Sequence, residues 1–493
     1  MTAPRSYRLA VAALVAGAAL AAAAPRADAD PQSDYENGYA LGSKAYEYGI
    51  PLLDTGRIYR TATSVSKSDG RGDAPVNRFS HARKLARPED RTVVAPNHDT
   101  LYSLAWLNLA RQPQILHVPR MHRFFAFELV SPWTENFRNI STATGDRRGG
   151  DFAIVGPDFD AGLPKGVRRI RSPYDRVWLI GRTLIKDEAD TERVNRIQNS
   201  YRLQPLSSYG SRYKPPQIKP SDTTVDQATI PGFGPGEDPL DFYGALGREM
   251  KRFRPPPADQ PLLDQLRAIG VGVGLDPATD PSLSAETLRG MRDAVTRGPD
   301  NIQAKIVASF LEQFEQHNGY LIGDIGHYGT DYELRAMTDK IGVGALKPKI
   351  AIYPFAQTAR DRTPLTGARR YVLHIPSTRL PIPAHGFWSL TLYDSQTFLF
   401  ANPFGRYVIN DRSDLHYNPD GSVDLYVQQD PPGDPGQFRN WLPAPPGGFR
   451  LIWRLYDTRA ARQGILDGTG WQPPAILACD AQGTAADGNR CAS

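Results

Sequence analysis

Asn97, His98, Asp99 and Tyr102 place four hydrogen-bonding side chains within six residues, just after Pro96, where the strand-like run from Thr92 to Ala95 ends. Histidine shuttles a proton near neutral pH, and an adjacent carboxylate orients or charges it if the turn folds one toward the other. The same residue types also build turns, with Asn97 and Asp99 as caps and His98 exposed. A second candidate is Arg182, which shares a strand face with Trp178 and Ile180. A guanidinium cannot be neutralised, so on a buried face Arg182 must meet a carboxylate or an anionic ligand. Glu128 and Asp99 are the partners considered. The catalytic candidates are thus Asp99, His98, Tyr102 and Arg182, with Asn97 and Glu128 as neighbours in the site.

Further binding candidates lie at strand ends and on later strands. Trp133 and Glu135 put an aromatic ring beside a carboxylate, a pairing that suits a small molecule or a sugar and equally an anchored loop. Tyr393, Arg454 and Trp441 are added from the last third of the chain, where Arg454 and Tyr456 share the face opposite Trp453. No H-E-x-x-H, G-x-S-x-G, phosphate-binding G-x-x-x-x-G-K-[ST] or EF-hand loop occurs. Gly270, Gly272 and Gly274 alternate with valines in a helical region with no preceding strand, so no nucleotide cofactor is expected. Scattered His, Asp and Glu leave a divalent metal open, though no spacing announces one.

The elements that must position these residues follow from periodicity. Residues 30–90 read as a helical lead-in, with Tyr35, Tyr39, Gly42 and Tyr46 on one face and Pro51 interrupting it. Two-residue alternation, as in Phe125, Phe127 and Leu129, makes residues 91–202 a β-sandwich. A Pro-rich linker spans 203–239, and a helical block spans 240–348. That block has apolar stripes at Phe242, Leu246, Met250 and Phe253, and at Ile302, Ile306, Phe310 and Phe314. Strands return over 349–475 in alternating sets such as Trp388, Leu390 and Leu392, and read as a jelly-roll sandwich. The expected fold class is multi-domain α+β: an amino-terminal β-sandwich, a helical insert and a carboxy-terminal jelly-roll β-sandwich.

These runs carry a resemblance. Ala95 to Tyr102, Phe152 to Pro157 and Val177 to Arg182 resemble the amino-terminal domain family of unknown function 1254. Gly386 to Asp394, Asn418 to Ser422 and Asn440 to Pro445 resemble its usual partner, the family of unknown function 1214. The resemblance implies a sandwich-like first domain, a helical insert and a jelly-roll second domain, often in exported bacterial proteins, and brings no settled reaction or cofactor. Asn97, Asp99, Thr100 and Tyr102 match the family motif while His98 occupies a variable place, which favours Asp99.

Residues 1–29 have the form of a signal peptide, with Arg5 and Arg8, an apolar run from Leu9 to Ala24, and Ala27-Asp28-Ala29 as the cleavage site. Cleavage near Ala29 implies a periplasmic or extracellular protein with no stable membrane anchor. Losing Arg5, Arg8, Arg26 and Asp28 reduces the net charge from +5 to +3, and no concentrated basic stripe remains for nucleic acid. The only two cysteines in the chain, Cys479 and Cys491, are expected to pair in an oxidising compartment and pin the tail over 476–493. A homo-oligomer is left open. The expected function is an exported enzyme acting on a small organic or polar molecule by acid–base or metal-assisted chemistry, with hydrolysis as the reaction type. The alternative is a non-catalytic exported protein that binds a ligand or glycan.

Overall fold

The computed structural model describes residues 30–91, 94–217, 229–480, 483–489 and 491. The expected signal peptide and the centre of the Pro-rich linker lie outside the described residues. Helix α1 (Pro31–Thr63) starts on the Asp30 carboxylate, which accepts from Gln32 N, with Pro31 set in its first turn. Pro51 was expected to interrupt this helix, yet the helix runs through it. Burial of Tyr46, Tyr48, Ile50, Leu52 and Leu53 around Pro51 outweighs one missing backbone hydrogen bond.

Helix α1 packs along the 29-residue helix α2 (Ala285–Gln313), and small residues set the approach. A Cβ on Gly38 would stand 2.3 Å from Thr287 O, and one on Gly290 would stand 2.2 Å from Tyr35 O. The stripes through Phe242 and Ile302 are buried in this helical layer, as the four-residue spacing predicted.

Among the described residues, eighteen strands form four sheets. The first half supplies β1 (Ser80–His81), β2 (Thr100–Asn108), β3 (Gln114–Val118), β4 (Phe125–Val130), β5 (Asn136–Ser141), β6 (Gly150–Val155), β7 (Arg168–Arg171), β8 (Arg176–Leu184) and β9 (Arg202–Pro205). One sheet has the order β1-β2-β8-β4-β5 and the other β7-β6-β3-β9. Their facing sides enclose Leu107, Leu116, Phe125, Phe127, Phe152 and Leu179. Gly181 is required here, because a Cβ would stand 2.3 Å from the Phe127 ring. The β9 strand also shows that Arg202–Pro205, at the start of the expected linker, joins a sheet.

The second half supplies β10 (Ala351–Ile352), β11 (Phe355–Ala356), β12 (Tyr371–Ile375), β13 (Phe387–Asp394), β14 (Val408–Asn410), β15 (Val423–Gln428), β16 (Trp441–Pro443), β17 (Phe449–Tyr456) and β18 (Leu477–Ala478). The sheet β10-β17-β13-β14, with β11 also on β17, faces the sheet β16-β15-β12-β18. Trp388, Leu390, Leu392, Leu451, Trp453 and Leu455 meet Leu373, Leu425 and Val427 between them. The fold is multi-domain α+β with two sandwich-like halves, as the periodicity predicted. Cys479 and Cys491 form a disulfide, with their Cα atoms 6.1 Å apart.

The second face of each central sheet is also covered. The outer face of β4 and β8 lies against the outer face of β13 and β17, joined by Phe124, Ala126, Phe387 and Tyr456. Phe387 stacks on Tyr456 at 4.1 Å, and Phe124 meets both edge-on. The four sheets therefore stack in sequence, and a seam between the inner two holds most of the buried polar side chains considered below.

Candidate functional site at the seam

Strand register puts the charges together. Tyr102 on β2 lies directly opposite Arg182 on β8, with the guanidinium 5.2 Å from the centre of the phenol ring. Arg182 is opposite Ala126 on β4, so the Glu128 carboxylate stands two residues along on the same face. Arg182 Nη1 donates to Glu128 Oε1, and Nη2 donates to Gly344 O at 3.0 Å. Asn136 Nδ2 donates to the other Glu128 oxygen at 3.0 Å. Burial pushes the Glu128 carboxyl up to about 7, with Arg182 opposing the shift. Burial by itself would lower Arg182, but the Glu128 carboxylate outweighs it and holds the guanidinium above its ordinary value.

From the opposite sheet come Ser389, Thr391, Tyr393, Arg454 and Tyr456, the residues that alternate against the hydrophobic set of β13 and β17. Arg454 Nη1 donates to Thr391 Oγ1 at 3.1 Å, and Nη2 donates to Ala95 O at 2.9 Å. Tyr353 and Tyr456 meet edge-on at 6.4 Å. Burial raises both phenols, Tyr353 to about 12, so at neutral pH they are protonated donors. Tyr102 and Tyr353 are half-buried, whereas Arg182, Arg454 and Tyr456 are buried.

The segment from Ala95 to Asp99 crosses the seam and ties the halves together. Ala95 takes a left-handed φ of 49°, with its N–H on Thr397 O and its carbonyl on Arg454. Pro96 O accepts from Tyr393 Oη at 2.8 Å, and Asn97 Nδ2 donates to Tyr456 Oη at 2.7 Å. Asn97 Oδ1 also accepts from the backbone N–H groups of Asp99 and Thr100. Asp99 is 1% exposed; its Oδ1 accepts from Asn410 Nδ2 and Arg412 Nη2, whereas its Oδ2 is buried without a partner. Thr100 Oγ1, Ser389 Oγ and Arg412 Nε are buried and unpartnered in the same seam.

The other candidates lie elsewhere. His98 turns its Nδ1 to Ala86 O and its ring to Tyr407, and burial lowers its pKa. Trp133 and Trp441 are fully buried, with their indole N–H groups on Phe253 O and Gln428 O. Glu135 accepts from the backbone of Tyr328 and Gly329, with His327 beside it, and so anchors the helical layer to the first sandwich. Sequence reasoning passed over Tyr353, Ser389, Asn410 and Arg412. Only Ser389 carried a signal, its alternation against Trp388 and Leu390. A cleft of about 350 Å³ at the end of the second sandwich is lined by apolar side chains such as Leu380, Trp388 and Leu415 and contains none of the charged groups of the seam. Among the described residues, no three His, Cys, Asp or Glu side chains come together as a metal-holding set.

Residues 76–205 match the model of a protein of unknown function, DUF1254, and residues 350–460 match that of a second protein of unknown function, DUF1214. The chain thus carries a DUF1254 segment followed by a DUF1214 segment. Its DUF1254 segment contributes Asp99, Tyr102, Glu128 and Arg182 to the seam; its DUF1214 segment contributes Tyr353, Ser389, Asn410, Arg412, Arg454 and Tyr456. Among solved structures, the VPA0106 protein from Vibrio parahaemolyticus is 21% identical, with a TM-score of 0.62, over 90% of this chain and 100% of that one. An uncharacterized protein from Burkholderia cenocepacia is 13% identical over 91% of this chain and 95% of that one, with a TM-score of 0.41. The first likeness shows that the two proteins share a fold. No curated protein matches the chain. The disulfide is consistent with an exported protein, and among the described residues no helix is long and apolar enough to cross a membrane.

Proposed function

We propose that this protein is an exported enzyme that admits a small organic molecule to the seam and acts on it by proton transfer, with hydrolysis as the reaction type. Residues 1–29 serve as the signal peptide, and the mature chain works in the periplasm or outside the cell. The observation that carries the reading is Asp99 Oδ2, a buried carboxylate oxygen with no donor, in the same seam as buried guanidiniums and protonated phenols. Such an oxygen accepts a proton from water or substrate, and Tyr102 and Tyr353 donate to the oxygen on which charge develops. A glycan binder would present an exposed aromatic ring such as Trp133 or Trp441 beside a shallow groove, and neither ring is exposed.

The test is turnover of chromogenic ester, amide and glycoside substrates by the purified mature protein, by Asp99→Asn and by Tyr102→Phe, each checked for folding by circular dichroism. Loss of turnover in folded Asp99→Asn, with a smaller loss in Tyr102→Phe, supports the reading. Equal turnover by wild type and Asp99→Asn removes Asp99 from the mechanism.

A further inference from the structure

The buried guanidiniums of the seam are not equally compensated. Arg182 has Glu128, and Arg412 has both Asp99 and Asp411. Arg454 is 4% exposed, and its hydrogen bonds go to a threonine hydroxyl and a backbone carbonyl, both neutral, while its guanidinium stands 5.6 Å from the centre of the Tyr393 ring. Both partners are neutral and, among the described residues, no carboxylate pairs directly with Arg454; the Asp99 carboxylate supports its charge from a distance but is held by Arg412, so a guanidinium in a low-dielectric site still gains from an anion placed against it. Ser389 is paired with Arg454 in the β13–β17 register, and its buried hydroxyl has no partner.

We infer that Arg454 anchors a carboxylate on the ligand of the seam, with Ser389 Oγ and the phenols of Tyr102 and Tyr353 as the neutral donors around it. This deepens the acid–base reading above and rests on it. Arg182 was the anion anchor expected from the sequence; Glu128 already occupies it, and the role passes to Arg454. One guanidinium without a direct ion pair, with Glu128 and Asp99 in the same seam, suits a monoanion and disfavours a phosphate dianion. The substrate class assigned is a small monocarboxylate.

The experiment titrates the mature protein with benzoate and acetate, with their neutral counterparts benzamide and acetamide, and with inorganic phosphate at matched ionic strength, read by calorimetry and thermal shift. The expected result is carboxylate binding at least about tenfold tighter than the matching amide. That preference is lost in Arg454→Met and partly kept in Arg454→Lys, which retains the charge without the planar fork. Equal affinity for acid and amide overturns the inference, as does a preference that survives in Arg454→Met, tighter binding of phosphate, or no binding of any probe. If Arg454→Met does not fold, the wild-type ratio and Arg454→Lys still decide the matter. Equal binding of acid and amide, combined with turnover that depends on Asp99, leaves the acid–base reading standing while this one fails.

Discussion

Asn97 and Tyr456, 359 residues apart, meet across the seam through a hydrogen bond of 2.7 Å from Asn97 Nδ2 to the phenol oxygen. The same asparagine caps the N–H groups of Asp99 and Thr100, so one side chain sets both the turn and the docking of the two sandwiches. Asn97→Ala leaves these buried groups without partners and should cost about 2 to 4 kcal/mol. Tyr456→Phe keeps the stack on Phe387 and loses only the hydroxyl, a cost of about 1 kcal/mol. Urea denaturation of both variants checks the order; a larger loss in Tyr456→Phe would contradict the capping role.

Arg182 and Glu128 form a buried pair in which each justifies the other. Arg182→Met strands the carboxylate, and Glu128→Gln strands the guanidinium, each destabilising by about 3 to 5 kcal/mol. The double variant should lose much less than the sum, because no charge is left unpaired. A double-mutant cycle in denaturant measures this, and strict additivity would mean the two side chains do not depend on each other.

His81 provides an acid-sensitive element outside the seam. Burial, with Arg83 nearby, holds its imidazole down at about 4, while its Nδ1 contacts Ser103 Oγ and its ring stacks on Phe79. An unfolded histidine titrates near 6.5, so below that value the unfolded chain binds a proton that the native chain refuses. The contribution is present in full above about pH 6.5 and is lost as pH falls toward 4, with a slope of up to about 1.4 kcal/mol per pH unit. Stability measured across that window should fall less steeply for His81→Gln than for wild type. Parallel curves would show that His81 titrates normally in the fold.

The Cys479–Cys491 bridge closes a short loop over Val372, Tyr426 and Trp441. Cys491→Ser should lower stability by about 2 to 3 kcal/mol without reductant and should match wild type once reductant is added. A difference that persists in reductant would point to packing of the Cys491 side chain rather than to the bond.

Much of the architecture was legible because alternation and helical spacing report which face of an element is apolar. Phe125, Phe127 and Leu129, or Trp388, Leu390 and Leu392, name a buried face without any knowledge of its partner. The run through Pro51 misled, because a proline removes one hydrogen bond wherever it stands, and whether the helix survives depends on how much surface its neighbours bury.

The sequence by itself determined the strand faces, the apolar stripes of the helices, the two halves and the pairing of the two cysteines, since each follows from local pattern or from elimination. Only the tertiary structure decided that the polar faces of β8 and β17 are turned toward each other. A polar face looks the same in sequence whether it meets water or a second sheet, so Ser389, Asn410 and Arg412 carried little warning of burial. Stacking the sheets removes water from both faces at once, and that shared desolvation is what leaves Arg182 needing Glu128 and Arg454 without a direct ion pair.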